Sequence, residues 1–372
     1  MKKMITQKFL SRSITVAGLF FKPVFKEFLL AAFATLCVTS ADAAPLDALL
    51  TALPEVDAPN GQVEVSIDSM VPVGNDSSSD YHGWHMLGGF SPRPDWWLSG
   101  GLWQRSVDTG GDNYQYTSWQ AAAQYKMLDG AGIRPALGLR FSVWGDQSPA
   151  SNSSTPVVVP FLKLNTVSVT SPSDQNIQAD VIGTWQLSPN TDFSLLLGGG
   201  TTQLAYDTLT ATTTYNGCNY NLQFTGDTIF GTLANPCSAP GGVIHQFYVS
   251  SSNYGIHPAE ELAWNGNFVH LGGNARWKQG PWNWSVGVLF TQAQRSGVDD
   301  ILASRGSASY TQNTDVTLQG NYKWTEHLHL IGRFQVSSNL FFADIPVTYN
   351  SSTASRFENT FSLFSLGMAW EF

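Results

Sequence analysis

Long apolar runs are missing from this 372-residue chain beyond its first forty-odd positions. No later stretch approaches 18 consecutive apolar residues, which excludes a membrane-spanning helix there. Charge is scarce as well: 13% of residues are Asp, Glu, Lys or Arg, against about 25% in soluble domains. No basic stripe occurs, so nucleic acid drops out as a partner. Cysteine appears three times, at Cys37, Cys218 and Cys237, with no companion ligands at the tight spacing a zinc site needs. No metal or cofactor is expected. No G-x-S-x-G occurs, and the His-x-Ser and paired-acid patterns of outer-membrane lipases and proteases are absent too, so no catalytic residue is assigned.

The amino-terminus carries an address. Lys2, Lys3, Lys8, Arg12, Lys22 and Lys26 precede the apolar run Phe28 to Val38, and Ala41-Asp42-Ala43 places small residues before a cleavage point. This is the layout of a secretory signal peptide over residues 1–43, and it predicts Sec-dependent export. Of the chain's 19 basic residues six fall in that segment, and of 28 acidic residues two, leaving 13 against 26 and a net charge near −13. In an oxidising compartment the two remaining cysteines, Cys218 and Cys237, are expected to pair. Residues 44–60 form a short leader, in which Leu46, Leu49, Leu50 and Leu53 precede Pro54 as in an amphipathic helix.

From residue 61 to 372 nearly everything alternates, as in Ala136 to Trp144, Asn283 to Phe290 and His327 to Val336. A period of two marks strands with one apolar face. Tight turns rich in Gly, Pro, Asn or Asp fall at 91–95, 129–132, 188–191, 278–281 and 325–327. Between them lie mostly longer polar segments at 73–79, 108–113, 146–176, 208–265, 297–306 and 343–354. This strict alternation of short and long connections belongs to a membrane β-barrel with short turns at one end and longer loops at the other. The count is about 12 antiparallel strands, rising to 14 or 16 if the strand-like pieces inside 146–176 and 208–265 join the wall. Trp96, Trp97, Tyr125, Trp185, Trp277, Trp282, Trp284, Tyr322, Trp324 and Trp370 lie near the short turns or the carboxy-terminus, as membrane-interface aromatics do.

The chain closes on SLGMAWEF. Ser365, Gly367, Trp370 and Phe372 resemble the polar-x-Gly-x-x-aromatic-x-aromatic terminal signal of Gram-negative outer-membrane β-barrels, a likeness that covers the whole mature region. The resemblance implies an integral outer-membrane location with both termini periplasmic. It also implies delivery by periplasmic chaperones to the barrel-assembly machinery, and contact with outer-membrane lipid and lipopolysaccharide. The last strand is expected to close the ring against Gln62 to Asp68.

If the apolar faces meet lipid, Glu64, Asp68, His85, Arg105, Lys126, Arg140, Asp180, His270, Arg276, Asp315, Lys323 and Arg333 line the interior. Both signs are present with small residues between them, which fits a narrow charged lumen passing a small solute; an interior sealed by cross-barrel ion pairs fits as well. The function expected is a passive, porin-like channel. The alternative is a surface receptor or adhesin acting through 146–176 and 208–265. A hydrolase built on Asp80 and His82, or on Asp299 and Asp300, comes third. Glu260 and Glu261 are candidate cation ligands, though carboxylates on a loop are more often solvated.

Overall fold

A computed structural model describes residues 60–71, 79–109, 113–153, 156–159, 162–239, 242–339, 345–351, 353–354, 358 and 360–372. The expected signal peptide and leader, Asn60 apart, lie outside them, as does most of 73–79. In chain order the strands are β1 (Gly61–Val71), β2 (Ser79–Arg93), β3 (Trp96–Thr109), β4 (Asn113–Leu128), β5 (Ala136–Gln147), β6 (Ala150–Ser153), β7 (Val157–Val159), β8 (Leu162–Thr170), β9 (Ser173–Ser188) and β10 (Thr191–Ala205). They continue as β11 (Thr208–Tyr215), β12 (Cys218–Thr225), β13 (Thr228–Leu233), β14 (Gln246–Ser250), β15 (Asn265–Gln279), β16 (Trp282–Arg295), β17 (Gln312–Lys323), β18 (Leu328–Ser337) and β19 (Phe361–Glu371). Two short helices, α1 (Pro258–Leu262) and α2 (Val298–Ser304), sit in the connections.

Twelve strands close an antiparallel ring, β1-β2-β3-β4-β5-β9-β10-β15-β16-β17-β18-β19 and back to β1. Closure pairs Gln62 with Glu371 and Asp68 with Ser365, and Phe372 and Gly61 exchange backbone hydrogen bonds of 2.9 and 3.0 Å. The five tight turns and both strand-bearing termini gather at one end of the ring, and every long connection leaves from the other. Strands of up to 16 residues exceed the 9–11 a tilted strand needs to cross a bilayer, so the ring projects past the membrane at the long-loop end.

Side chains sort by the pleat. On β1, Val63, Val65 and Ile67 are exposed while Glu64, Ser66 and Asp68 are buried; on β19, Phe364, Leu366, Met368 and Trp370 are exposed while Ser365 is buried. Buried polar and exposed apolar faces invert the pattern of a water-soluble protein and make the outer wall a lipid-facing band. Among the described residues no helix is long and apolar enough to span a membrane; the strands do the crossing.

The two pieces that left 14 or 16 strands open stay out of the wall. Residues 157–169 supply β7 and β8, and residues 243–251 supply β14. With β6, β11, β12 and β13 they form a separate seven-stranded sheet at the long-loop end. Its inner face is apolar, with Leu164, Leu209, Leu222, Phe224 and Ile229 buried. Alternation over eight residues therefore does not tell a wall strand from a strand in a folded loop.

Cys218 and Cys237 are joined, 19 positions apart, tying the start of β12 to the chain that follows β13. A loop of this size is worth about 3 kcal/mol in the chain-entropy account. We expect reduction, or Cys218→Ser with Cys237→Ser, to speed proteolysis within 208–245 severalfold. The heat-dependent gel shift of the ring itself should not move. Loss of that shift would show that the staple holds the wall.

Candidate functional site

The expected interior residues gather into clusters, and two of these share a device. Glu64 on β1 lies 3.4 Å from Arg333 Nη2 on β18, although β19 runs between them. The pair meets over Gly367, where an added Cβ would collide with Ser66 Oγ and stand 2.5 Å from the Val65 carbonyl oxygen. Ser66 Oγ occupies that space and donates to Glu64 at 2.9 Å. His85 adds a contact to Glu64 at 3.2 Å and to Asp68 at 2.8 Å, and Arg333 donates to Gln319 at 2.8 Å.

On the facing arc, Asp180 of β9 and His270 of β15 meet at 2.8 Å across β10, at Gly198. A Cβ there would collide with Asp180 Oδ1 and stand 2.6 Å from His270 Nε2. Gln178 donates to both oxygens of Asp180 at 2.9 and 2.8 Å. Arg140, the β5 residue beside Asp180 in register, donates to Ser142 at 3.1 Å. In both clusters groups two strands apart bond directly, and at Gly198 the glycine of the intervening strand leaves the room for it.

The remaining expected positions are spread along the interior. Asp315 is buried and bonded to Asn313 and Ser337. Arg105 lies 5.5 Å over the Trp103 ring. Toward the short-turn end, Arg276 pairs with Asp192 at 3.1 Å, and Lys126 pairs with Asp129 at 3.0 Å and Asp95 at 3.9 Å. Lys323, at the end of β17, is exposed.

Buried ion pairs are costly to break one-sidedly, because the abandoned charge keeps its desolvation penalty. Glu64→Ala strands Arg333 inside the ring and should cost about 3–5 kcal/mol. The readout is the temperature at which the folded gel species disappears, expected to fall well below that of the parent; an unchanged temperature would mean Arg333 finds water.

Among the aromatics, Trp96 with Tyr125, Trp185 with Phe193, and Trp282 with Trp284 and Tyr322 form contacting sets on the outer face. Trp277 is opposite Trp284 in register, and Trp324 and Trp370 are exposed. Trp97 departs from the expectation. It shares the inward parity of β3 with Trp103, opposite buried Gln124, and its ring fills the place of a side chain at Gly89. Proximity to a short turn does not fix which face a residue takes; the pleat does.

The long-loop end holds what the sequence reading missed. The chain between β18 and β19 carries a 3₁₀ turn, Pro346–Thr348, that packs against β5, β9 and β10. Those strands lie on the far arc of the ring, so the segment crosses the mouth. Ile345 and Tyr349 are fully buried, and Val347 N–H donates to Asp174 at 2.9 Å. A clamp fixes the crossing. The Arg295 guanidinium lies 3.9 Å over the Tyr349 ring and 5.4 Å over Trp264, while Trp264 Nε1 donates to the Tyr349 carbonyl at 2.9 Å. Burial raises the Tyr349 phenol above its ordinary pKa, so its O–H is kept 3.5 Å from Asp299. The one sequence signal was the apolar cluster Ile345 to Tyr349 inside a polar loop.

Above this crossing lies a cavity of about 510 Å³. Val107, Tyr114 and Tyr116 of the ring form one side and Leu164, Val169, Leu209 and Phe224 of the outer sheet the other, with Val347, Thr348, Asn350, Ser351 and Thr353 beneath. Glu261 and Arg305, paired at 2.8 Å, stand at its polar edge. Glu261 also accepts from Ser351, so it is a buried pairing group and not a solvated carboxylate. The hydrolase candidates do not assemble: Asp80 and His82 are exposed on either side of buried Tyr81, and Asp299 is taken up by Arg295 N–H and Ser309.

No protein-family model matches the chain, and no curated protein matches it in sequence. Solved structures similar to it include the translocator domain of autotransporter NalP from Neisseria meningitidis, at 9% identity and TM-score 0.48 over 94% of this chain and 98% of that one. A NanC porin is similar at 8% identity and TM-score 0.40, over 83% and 100%. A KdgM porin is similar at 8% and 0.37, over 84% and 99%. By its own closed ring, buried polar interior and exposed apolar wall, the chain is an outer-membrane-type β-barrel of 12 strands.

Proposed function

We propose that the chain is a transport-type channel for small solutes. A solute enters the 510 Å³ vestibule at the long-loop end and passes, when the crossing segment withdraws, into a narrow charged lumen. The observation that carries this reading is the placement of the vestibule directly above the segment that closes the ring. A barrel serving only as an anchor has no need of a ligand-sized chamber seated on its own stopper. The interior beneath holds charges of both signs, Glu64, Asp180 and Arg333 among them, between apolar side chains such as Ile182, Leu289 and Ile331, and charged groups lining a bore select solutes. In this conformation the crossing segment closes it, with Ile345 and Tyr349 fully buried at the mouth.

The short-turn end would face the periplasm with both termini, because short turns mark that side in barrels of this kind. Export through the Sec route and insertion by the barrel-assembly machinery belong to the same proposal, resting on residues 1–43 and on the closing SLGMAWEF.

Proteoliposome swelling tests the channel. With Ser351→Cys placed at the vestibule floor of the Arg295→Leu chain, in which the crossing segment is released, vesicles should swell in small neutral solutes, and a bulky thiol adduct at that position should abolish the swelling. Vesicles that behave as empty ones before labelling, or swell equally after it, would remove the vestibule from the path.

A further inference from the structure

The seven-stranded sheet turns one face to its own core and the other to solvent, and the solvent face is unusual in composition. β11 reads TLTATTTY and β12 reads CNYNLQFT. In both, the alternate residues facing away from the core are Thr, Asn or Gln. Thr166, Ser168 and Thr170 of β8, Thr228, Phe230 and Thr232 of β13, and Gln246, Tyr248 and Ser250 of β14 continue the face, and exposed Lys163 stands at the outer end of β8. Over β11, β12, β13 and β14 the face thus carries no charge, in a chain with more acidic than basic residues.

Its polar groups are ordered across strands. Thr166 meets Thr212 at 2.7 Å, Thr170 meets Thr208 at 2.6 Å, and Asn165 donates to Thr214 at 3.0 Å. Such pairs fix rotamers in advance and leave each hydroxyl a further donor or acceptor site. At one side the Phe230 and Tyr248 rings stack, with centroids 4.6 Å apart and planes 26° off parallel, and Tyr248 is 71% exposed. A depression of about 360 Å³ runs over the face between Thr166, Asn221, Gln223 and Phe230.

From this juxtaposition we infer that the solvent face of the outer sheet binds an uncharged glycan chain. A sugar ring offers hydroxyls of both senses around its edge and a weakly positive C–H face. The grid of Thr, Asn and Gln meets the first, and the negative face of an aromatic ring meets the second. Charge complementarity selects the neutral class: over β11 to β14 an anionic polymer finds no cation and a cationic one no carboxylate, and Lys163 is not among the residues bordering the depression. The site is separate from the vestibule, which lies under the other face of the same sheet, so it stands whether or not the barrel conducts.

The test uses the folded mature chain in detergent, run through gels cast with neutral polysaccharides (dextran, laminarin, mannan, galactan and xylan) and with polygalacturonate as the anionic comparison. At least one neutral polymer should retard the protein, and polygalacturonate should not. Tyr248→Ala should weaken retardation about tenfold, the scale of one lost aromatic contact. Asn221→Ala with Gln223→Ala, both on exposed side chains that leave the core untouched, should do at least as much. Each variant is checked for the heat-dependent gel shift and an intact Cys218–Cys237 bond, and the Asn/Gln pair decides the matter if Tyr248→Ala does not fold. The inference is overturned if no neutral polymer binds, if polygalacturonate binds in preference, or if the folded variants bind as the parent does.

Discussion

Replacing Gly367 by Val should nearly abolish the folded barrel. The new Cβ would stand 2.5 Å from the Val65 carbonyl oxygen and displace Ser66 Oγ, so the closing strand could not approach β1 in register. Rotating Ser66 away relieves one contact but leaves the backbone one, and it strips Glu64 of a hydrogen bond. Overpacking of this kind costs about 3 kcal/mol at the upper end, which alone lowers the folded population roughly a hundredfold. The measurement is the fraction of heat-shifting protein recovered from outer membranes or from refolding in detergent. Gly332→Val is the comparison, since a Cβ there meets nothing within 4 Å, and it should refold nearly as the parent does. Equal recovery of both variants would show that the seam between β1 and β19 tolerates a side chain.

The same position was singled out in the sequence only as part of a terminal address. Its packing gives a second reason for glycine there: any side chain would drive into Ser66, which donates to Glu64. At Gly198 a side chain would drive into Asp180 and His270, and two strand-crossing pairs on opposite arcs brace the ring.

Arg295→Leu should release the segment that crosses the mouth. Arg295 is 4% exposed and holds Tyr349 by its guanidinium face while its Nη1 donates to the Tyr310 carbonyl at 2.8 Å. A desolvated cation–π contact is worth about 2 kcal/mol and a hydrogen bond from a charged donor about 1.5 kcal/mol or more. Only the first contact holds the crossing segment, so its loss favours the withdrawn segment by about thirtyfold. Limited proteolysis within 345–354 should accelerate accordingly, while the heat-dependent shift of the ring persists. Arg295→Lys keeps the charge without the planar fork and should fall between the two. Protection unchanged in Arg295→Leu would place the hold elsewhere, on Val347 and Asp174.

The ring itself was legible because a lipid-facing wall imposes a rule on every residue: each second side chain must be apolar, and connections must be short at one end. Val63, Val65 and Ile67 against Glu64, Ser66 and Asp68 state that rule within six positions. The interior positions followed from the same parity, but their partners did not. Arg333 and Glu64 are 269 positions apart, and only the ring's closure brings them together. Trp97 was misplaced because nearness to a turn stood in for parity. The crossing segment was hidden for another reason: its closure depends on a clamp built from Arg295, Trp264 and Tyr349, which the end of β16 and two different connections supply. The outer sheet was hidden because its strands obey the same alternation as the wall.

Single-channel recording in planar bilayers tests the central claim most directly. The parent should show rare, brief openings, because the crossing segment closes the ring. A chain in which residues 345–354 are replaced by a short Gly-Ser linker should conduct in steady steps, with mean current higher by about thirtyfold, matching the release expected from the clamp energy. Correctly folded parent and shortened chain that stay equally silent would contradict the account and leave the barrel as a sealed support for its outer sheet.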